Sequence, residues 1–139
     1  MAADRETQGS YLPESDGTDY EAVMGFEKVE WHEGYVRMRV ALQPVHRNRQ
    51  GIVHGGVIAA LLDSVGMFAG TYDPENAGGK RAVTVATSCQ FIGATKGDFI
   101  EAEGVLTRAG RSMYFSDAKV TDPATGAILA SGQGTYKYR

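Results

Sequence analysis

The chain has a single cysteine, Cys89, among its 139 residues. That excludes an internal disulfide and fits a reducing compartment, so a cytoplasmic protein is expected. Proline is scarce: the four prolines fall in segments that read as arm, turn or strand end, and none interrupts a helix or strand pattern. There is no block of basic residues, and the net charge is −3. Nucleic acid and anionic membranes are therefore not expected as partners. There is also no uninterrupted apolar span. The longest apolar run, from Gly55, is broken by Asp63 and by glycines, and it is a poor membrane crossing. The first residues, Met1 to Gly9, are polar and carry acids, without an apolar signal core. His32, His46 and His54 lack metal-ligand spacing and have no cysteine or carboxylate cluster beside them, so no metal and no cofactor is expected.

What is present is enough for one packed domain. Hydrophobic residues make up 42% of the chain, which indicates a globular core rather than disorder. Residues 1–18, rich in Asp, Glu, Ser and Gly, read as a mobile arm, and residues 19–139 as a single domain. Tyr20 to Trp31 reads as a strand or an irregular lead-in. His32-Glu33-Gly34 is a turn, and Tyr35 to Leu42 alternates as a half-exposed strand that Pro44 ends. A helix is predicted from about Gly55 to Tyr72. Asp73 to Lys80 is a loop on turn chemistry. Arg81 to Ile92, Phe99 to Ala109, Ser112 to Asp122 and Ala127 to Tyr138 then read as strands. Gly110 and Pro123-Ala124-Thr125-Gly126 mark hairpin connections. The expected architecture is α+β, one long helix followed by an antiparallel meander. A single sheet covers only one face of so apolar a helix, so a second subunit is expected on the other.

Asp63 stands out within this run, Gly55-Gly56-Val57-Ile58-Ala59-Ala60-Leu61-Leu62-Asp63-Ser64-Val65-Gly66-Met67-Phe68-Ala69-Gly70. A carboxylate there loses hydration and must be compensated or protonated, and folding alone favours Ala or Leu at that place. Gly55 and Gly56 open the helix, where free N–H groups and the positive end of the macrodipole suit an anion or a carbonyl oxygen gaining charge. Asp63 fits a base or a nucleophile, and Asn48 offers both a donor and an acceptor. Gly55 and Asp63 are eight residues apart, roughly 12 Å along a helix at about 1.5 Å per residue. Donors and base must both lie within about 3 Å of the reacting atoms. Two antiparallel helices from two subunits would pair the Gly55 end of one with the Asp63 of the other.

The segment His46-Arg47-Asn48-Arg49-Gln50-Gly51-Ile52-Val53-His54-Gly55-Gly56, followed by Asp63, resembles the signature of hotdog-fold acyl-CoA thioesterases of the PaaI type. Supporting likeness lies in Ala82-Val83-Thr84-Val85, Lys96-Gly97-Asp98, Gly110 to Phe115 and Ala124-Thr125-Gly126, so it extends from about Gly34 to the C-terminus. The resemblance implies an antiparallel sheet wrapped around one long central helix, a homodimer and often a homotetramer. It also implies hydrolysis of a CoA thioester. By motif position, the Gly55 N–H polarises the thioester carbonyl, and Asn48 holds that carbonyl or the attacking water. Asp63 of the partner subunit activates the water or attacks directly, Thr84 assists it, and His54 has a supporting role. The family often has proline after the strand that follows the helix, where this chain reads Phe91-Ile92-Gly93-Ala94. The phosphates of CoA call for a basic mouth, with Arg108 and Arg111 as leading candidates and Lys80, Arg81 and Lys96 behind them. Leu62, Val65, Gly66 and Met67 are expected to line the acyl pocket.

Each assignment has a plainer competitor. Asp63 could be a buried carboxylate capping a backbone group, and Gly55-Gly56 a place of close packing. Asn48 could be a turn residue, and His54 a structural hydrogen-bonding group. Thr84 could reflect β-propensity alone, and Arg108 and Arg111 a solvated hairpin. Cys89 reads as a small packed side chain. At the level of function, the rivals are a non-catalytic acyl-CoA binding module of the same fold and a hydratase, whose Asp/His pair is not found.

Overall fold

The computed structural model describes residues 11–139. Residues 1–10 of the expected arm lie outside the described residues. Tyr11 forms an isolated bridge with Lys80, and the Leu12 N–H donates to the Gly79 carbonyl at 2.9 Å. Six strands, β1 (Glu27–His32), β2 (Tyr35–Ala41), β3 (Ala82–Phe91), β4 (Phe99–Ala109), β5 (Met113–Thr121) and β6 (Ile128–Tyr138), form one antiparallel sheet around the central helix Gly55–Ala69. This is the α+β hotdog architecture that the resemblance implied.

The segment Tyr20–Trp31 divides into a one-turn helix, Tyr20–Val23, and β1. Asp19 caps that helix by accepting from the Ala22 N–H. Gly25 then takes a left-handed turn, φ +74°, so that Phe26 can enter the core. The central helix ends at Ala69 rather than near Tyr72. The Gly70 and Thr71 N–H groups bond three residues back, to Met67 and Phe68, and tighten the last turn. A Cβ at Gly70 would meet the Tyr114 ring.

Strand order is β1-β2-β4-β5-β6-β3. The expectation of a single meander after the helix is therefore corrected. β4, β5 and β6 form it, whereas β3 lies at the far edge, paired with β6. Both sides of β4 are already taken, by β2 from Tyr35↔Val105 to Ala41↔Phe99 and by β5. The Ile92–Asp98 segment carries the chain across to that position.

The core follows the two periods. Val36, Met38 and Val40 alternate on β2, and Ile100 and Ala102 on β4, toward Val57, Ile58, Leu61, Leu62 and Val65 of the helix. A Cβ at Gly104 would fall on the Val65 carbonyl oxygen, so this glycine lets the helix backbone approach the sheet. Aromatic side chains satisfy carbonyls at the helix C-terminus: Tyr114 and Tyr138 hydroxyls donate to Met67 and Gly70, and the Trp31 indole donates to Phe68, each at 2.8 Å. Among the described residues, no helix is long and apolar enough to cross a membrane.

Candidate functional site

The Asn48 loop is held from three sides. His46 is buried. Its Nδ1 accepts from the Gln43 N–H at 2.9 Å, so its Nε2 carries the proton and donates to the Met24 carbonyl at 2.7 Å. The Arg47 guanidinium donates to the Gly51 and Gly97 carbonyls at 3.0 and 2.8 Å. Gly51, at φ +81°, supplies the left-handed turn. Within this loop the Asn48 side-chain oxygen accepts from the Gln50 N–H at 2.9 Å. That Asx turn occupies the carbonyl and leaves the Nδ2 hydrogens for donation.

The helix start distinguishes its two glycines. The Gly56 N–H donates to His54 Nδ1 at 2.8 Å, so His54 is the N-cap. The Gly55 N–H, at the first helical position, meets no acceptor among the described residues. The open donor thus lies at the positive end of the helix, which the Asn48 loop precedes in the chain. Phe91, at the end of β3, lies over Gly55, with its ring edge 3.6 Å from where a Cβ would stand.

Two turns further along the helix, Asp63 is half-buried and its Oδ1 accepts from Thr84 Oγ1 at 2.8 Å. Thr84 is placed by register: it pairs with Tyr136 on the helix-facing side of β6. Tyr136, buried against Gly66, donates its hydroxyl to the Asp63 main-chain carbonyl at 3.2 Å. Burial pushes the Asp63 carboxyl up from its ordinary value, the hydrogen bond from Thr84 pulls it down, and the charge of Glu21 raises it further. A hydrophobically raised carboxylate beside an orienting hydroxyl is suited to taking a proton from water or attacking a carbonyl carbon.

Asp63 and Thr84 are therefore in contact, whereas Gly55 opens the helix two turns earlier and Asn48 lies in the loop that precedes it. Of the expected acyl-pocket residues, Leu62 and Val65 are in the core of their own chain, Gly66 makes room for Tyr136, and Met67 is half-buried. Of the expected CoA-binding residues, Lys80, Arg81 and Arg111 line one open hollow of about 360 Å³ with Tyr11, Tyr138 and Arg139. Among the described residues, no Asp or Glu lines it. A neighbouring hollow of about 420 Å³ shares Arg81 and Arg139. Arg108, next to the β4 bulge, and Lys96, in the β3–β4 connection, are exposed and belong to neither. No group of three or more potential metal ligands exists among the described residues.

Tyr136, Glu21 and Arg139 are near these groups without having been singled out in the sequence. Alternation along the last strand marks Tyr136 as inward-facing, but nothing local says that it reaches Asp63. Glu21 sits in a polar stretch that carries no motif.

Comparison with known proteins follows the same outline. The thioesterase superfamily profile matches residues 50–128, from the Asn48 loop to the start of β6. Human acyl-coenzyme A thioesterase 13 is 27% identical over 119 residues, 84% of this chain and 83% of that protein. The crystal structure of zebra fish thioesterase superfamily member 2 is similar with a TM-score of 0.76 at 27% identity, covering 91% of this chain and 89% of that one. The Escherichia coli PaaI protein of the phenylacetic acid degradation operon shares the fold, with a TM-score of 0.75 at 19% identity over 88% of this chain and 86% of its own.

Proposed function

The chain belongs to the thioesterase superfamily, and from that premise we propose that it is an acyl-CoA thioesterase whose sites are shared between two subunits. The observation that carries this reading is the division of one helix into an open donor end at Gly55 and, two turns on, a carboxylate, Asp63, held by Thr84. In the proposed reaction the Gly55 N–H and the Asn48 Nδ2 donate to the thioester carbonyl oxygen, where negative charge develops. Asp63 of the partner subunit takes a proton from a water oriented with the help of Thr84. That water's oxygen bonds to the carbonyl carbon, the C–S bond breaks, and the CoA sulfur leaves as thiolate to be protonated. Direct attack by Asp63, with a mixed anhydride then cleaved by water, uses the same groups. His54 supports the site by capping Gly56, which leaves the Gly55 donor oriented and open.

The β3 edge favours a dimer as the working unit. β3 is exposed or half-buried along its whole length, and its outer edge has no partner among the described residues. Two such dimers would make the tetramer. The basic hollow of Lys80, Arg81 and Arg111, extended by Arg139, is a place for CoA phosphates, with Arg108 further out. The acyl chain would enter over Met67, with Leu62, Val65 and Gly66 behind it.

A hydrolysis screen over short, branched, long and aromatic acyl-CoAs, read by release of free thiol, tests the activity. Asp63→Ala is expected to lower kcat by about 10²–10⁴, the range for a lost acid–base group. Near-wild-type turnover in the folded variant rejects the assignment, and binding without thiol release in the wild type points to the acyl-CoA binding module instead. Mixing Asp63→Ala with Asn48→Ala subunits is expected to restore part of the activity, because one site of the mixed dimer would be whole. No recovery after demonstrated exchange counts against shared sites.

A further inference from the structure

Glu21 lies outside the segment matched by the family profile, yet its carboxylate faces the catalytic turn of the central helix. Ser64, buried and next to Asp63 in the chain, donates its hydroxyl to Glu21 Oε1 at 3.1 Å. The short helix that carries Glu21 is not free to drift. Phe26, just after it, is in the core, and its N–H donates to the Glu21 carbonyl at 2.8 Å. The Met24 carbonyl is held by His46 Nε2 at 2.7 Å. The same His46 anchors the Asn48 loop, so the Glu21 segment and the donor loop share one fixed point.

Titratable or hydrogen-bonding groups face Asp63 from each element around it: Glu21 from the short helix, Thr84 and Cys89 from β3, Tyr114 from β5 and Tyr136 from β6. Glu21 is the only carboxylate among them. Burial pushes the Cys89 thiol and the Tyr114 and Tyr136 phenols upward, so these three stay neutral. Lys28, which feels the charge of Glu21, has its ammonium over the Phe68 and Trp31 rings, 3.9 and 4.5 Å from their centroids.

We propose that Glu21 is a positioning residue for Asp63: its hydrogen bond to Ser64 fixes the helical turn that presents Asp63 and sets a second carboxylate beside that turn. The proposal rests on Asp63 being the base or nucleophile of the reaction above. It adds a second carboxylate, one that acts through the helix rather than on the reacting atoms. A like charge nearby makes the ionised form of Asp63 costlier and therefore a better proton acceptor.

Glu21→Gln keeps an acceptor oxygen for Ser64 and removes the charge. The expected result is an acid limb of kcat/KM displaced to lower pH, with kcat at neutral pH reduced about two- to fivefold, the direction a weaker base gives. Ser64→Ala, which releases Glu21 from the helix, is expected to displace the limb the same way. Carbon-13 NMR titration of aspartate-labelled protein, with the Asp63 signal identified by its loss in Asp63→Asn, reads the same midpoint without substrate. A midpoint unchanged in Glu21→Gln, by kinetics or by NMR, overturns the proposal, as does a purely structural outcome in which Tm falls and the midpoint stays. Were wild-type protein to release no thiol from any acyl-CoA, the functional reading would fail, and the NMR titration alone would decide whether Glu21 acts on Asp63.

Discussion

Asp63 is costly to the folded chain in a way that its pH dependence exposes. Burial, its largest influence, raises the carboxyl above 3.8, the value of an unperturbed aspartate. For a group raised on folding, the contribution to stability is fully present below the unfolded value and is lost as pH rises through the folded one. At neutral pH the wild type therefore bears the cost of an ionised, partly desolvated carboxylate. Asp63→Asn is expected to have a higher Tm than wild type at pH 7, the two converging as the pH falls below 3.8; calorimetry across that range checks it. Thr84 acts in the opposite sense, since its hydroxyl stabilises the ionised form. Thr84→Ala should lower kcat less than Asp63→Ala does and displace the acid limb to higher pH, the reverse of Glu21→Gln. An isolated aspartate in an apolar run is visible in sequence because its type contradicts its surroundings. The roles of Gly55, Gly56 and Asn48 were less legible. Which N–H stays open and which amide atom is free depend on the His54 cap and the Asx turn, both of which are made of side-chain geometry.

At the scale of elements, the position of the central helix decides whether Asp63 and Thr84 meet. The helix rests on β4 at Gly104, where a side chain would strike the Val65 carbonyl, and is fastened at its C-terminus by Tyr114 and Tyr138. Gly104→Ala is expected to destabilise the fold by about 1–3 kcal/mol, the range for overpacking a close contact. Denaturant unfolding measures this. Because the helix must lift, kcat should fall along with stability. Tyr138→Phe removes one hydrogen bond to the helix end and is expected to cost about 1 kcal/mol, leaving catalysis nearly intact. Strand existence was legible from alternation, and β4 was read to its observed ends, Phe99–Ala109. The helix end was not: the glycine at the C-cap, Gly70, is the local stop, and the space it leaves is filled by the Tyr114 ring from β5.

For the whole molecule, the sheet has two edges, β1 and β3, and β3 is the longer, 10 residues against 6. Val85, displaced by the bulge between Thr84 and Ala86, is 54% exposed, and Phe91 at the strand end is 56% exposed. A long edge strand with apolar side chains is a template for pairing with another strand, and lysine placed on it discourages that pairing. If β3 forms the proposed dimer, Val85→Lys is expected to shift the protein toward monomer in analytical ultracentrifugation and to reduce activity in proportion. A fully active monomer would show that each chain completes its own site, against the shared arrangement. Arg81 and Arg139, at the other end of β3 and β6, lie beyond the altered position, so the basic hollow should survive the change.

The sequence by itself determined the periods, the turns and the residue types that carry chemistry. Those are set by interactions within a few residues: alternation along a strand, an apolar helix beginning after His54, glycines where the backbone turns left-handed. Tertiary structure decided strand order, sending β3 past β4 to the far edge because β2 and β5 had already taken both sides of β4. It also decided which groups surround Asp63. Ser64 and Glu21 are 43 residues apart in the chain, and Asp63 and Tyr136 are 73 apart. No local rule reaches that far. Such contacts exist only after the sheet has closed around the helix and brought distant side chains within hydrogen-bonding reach.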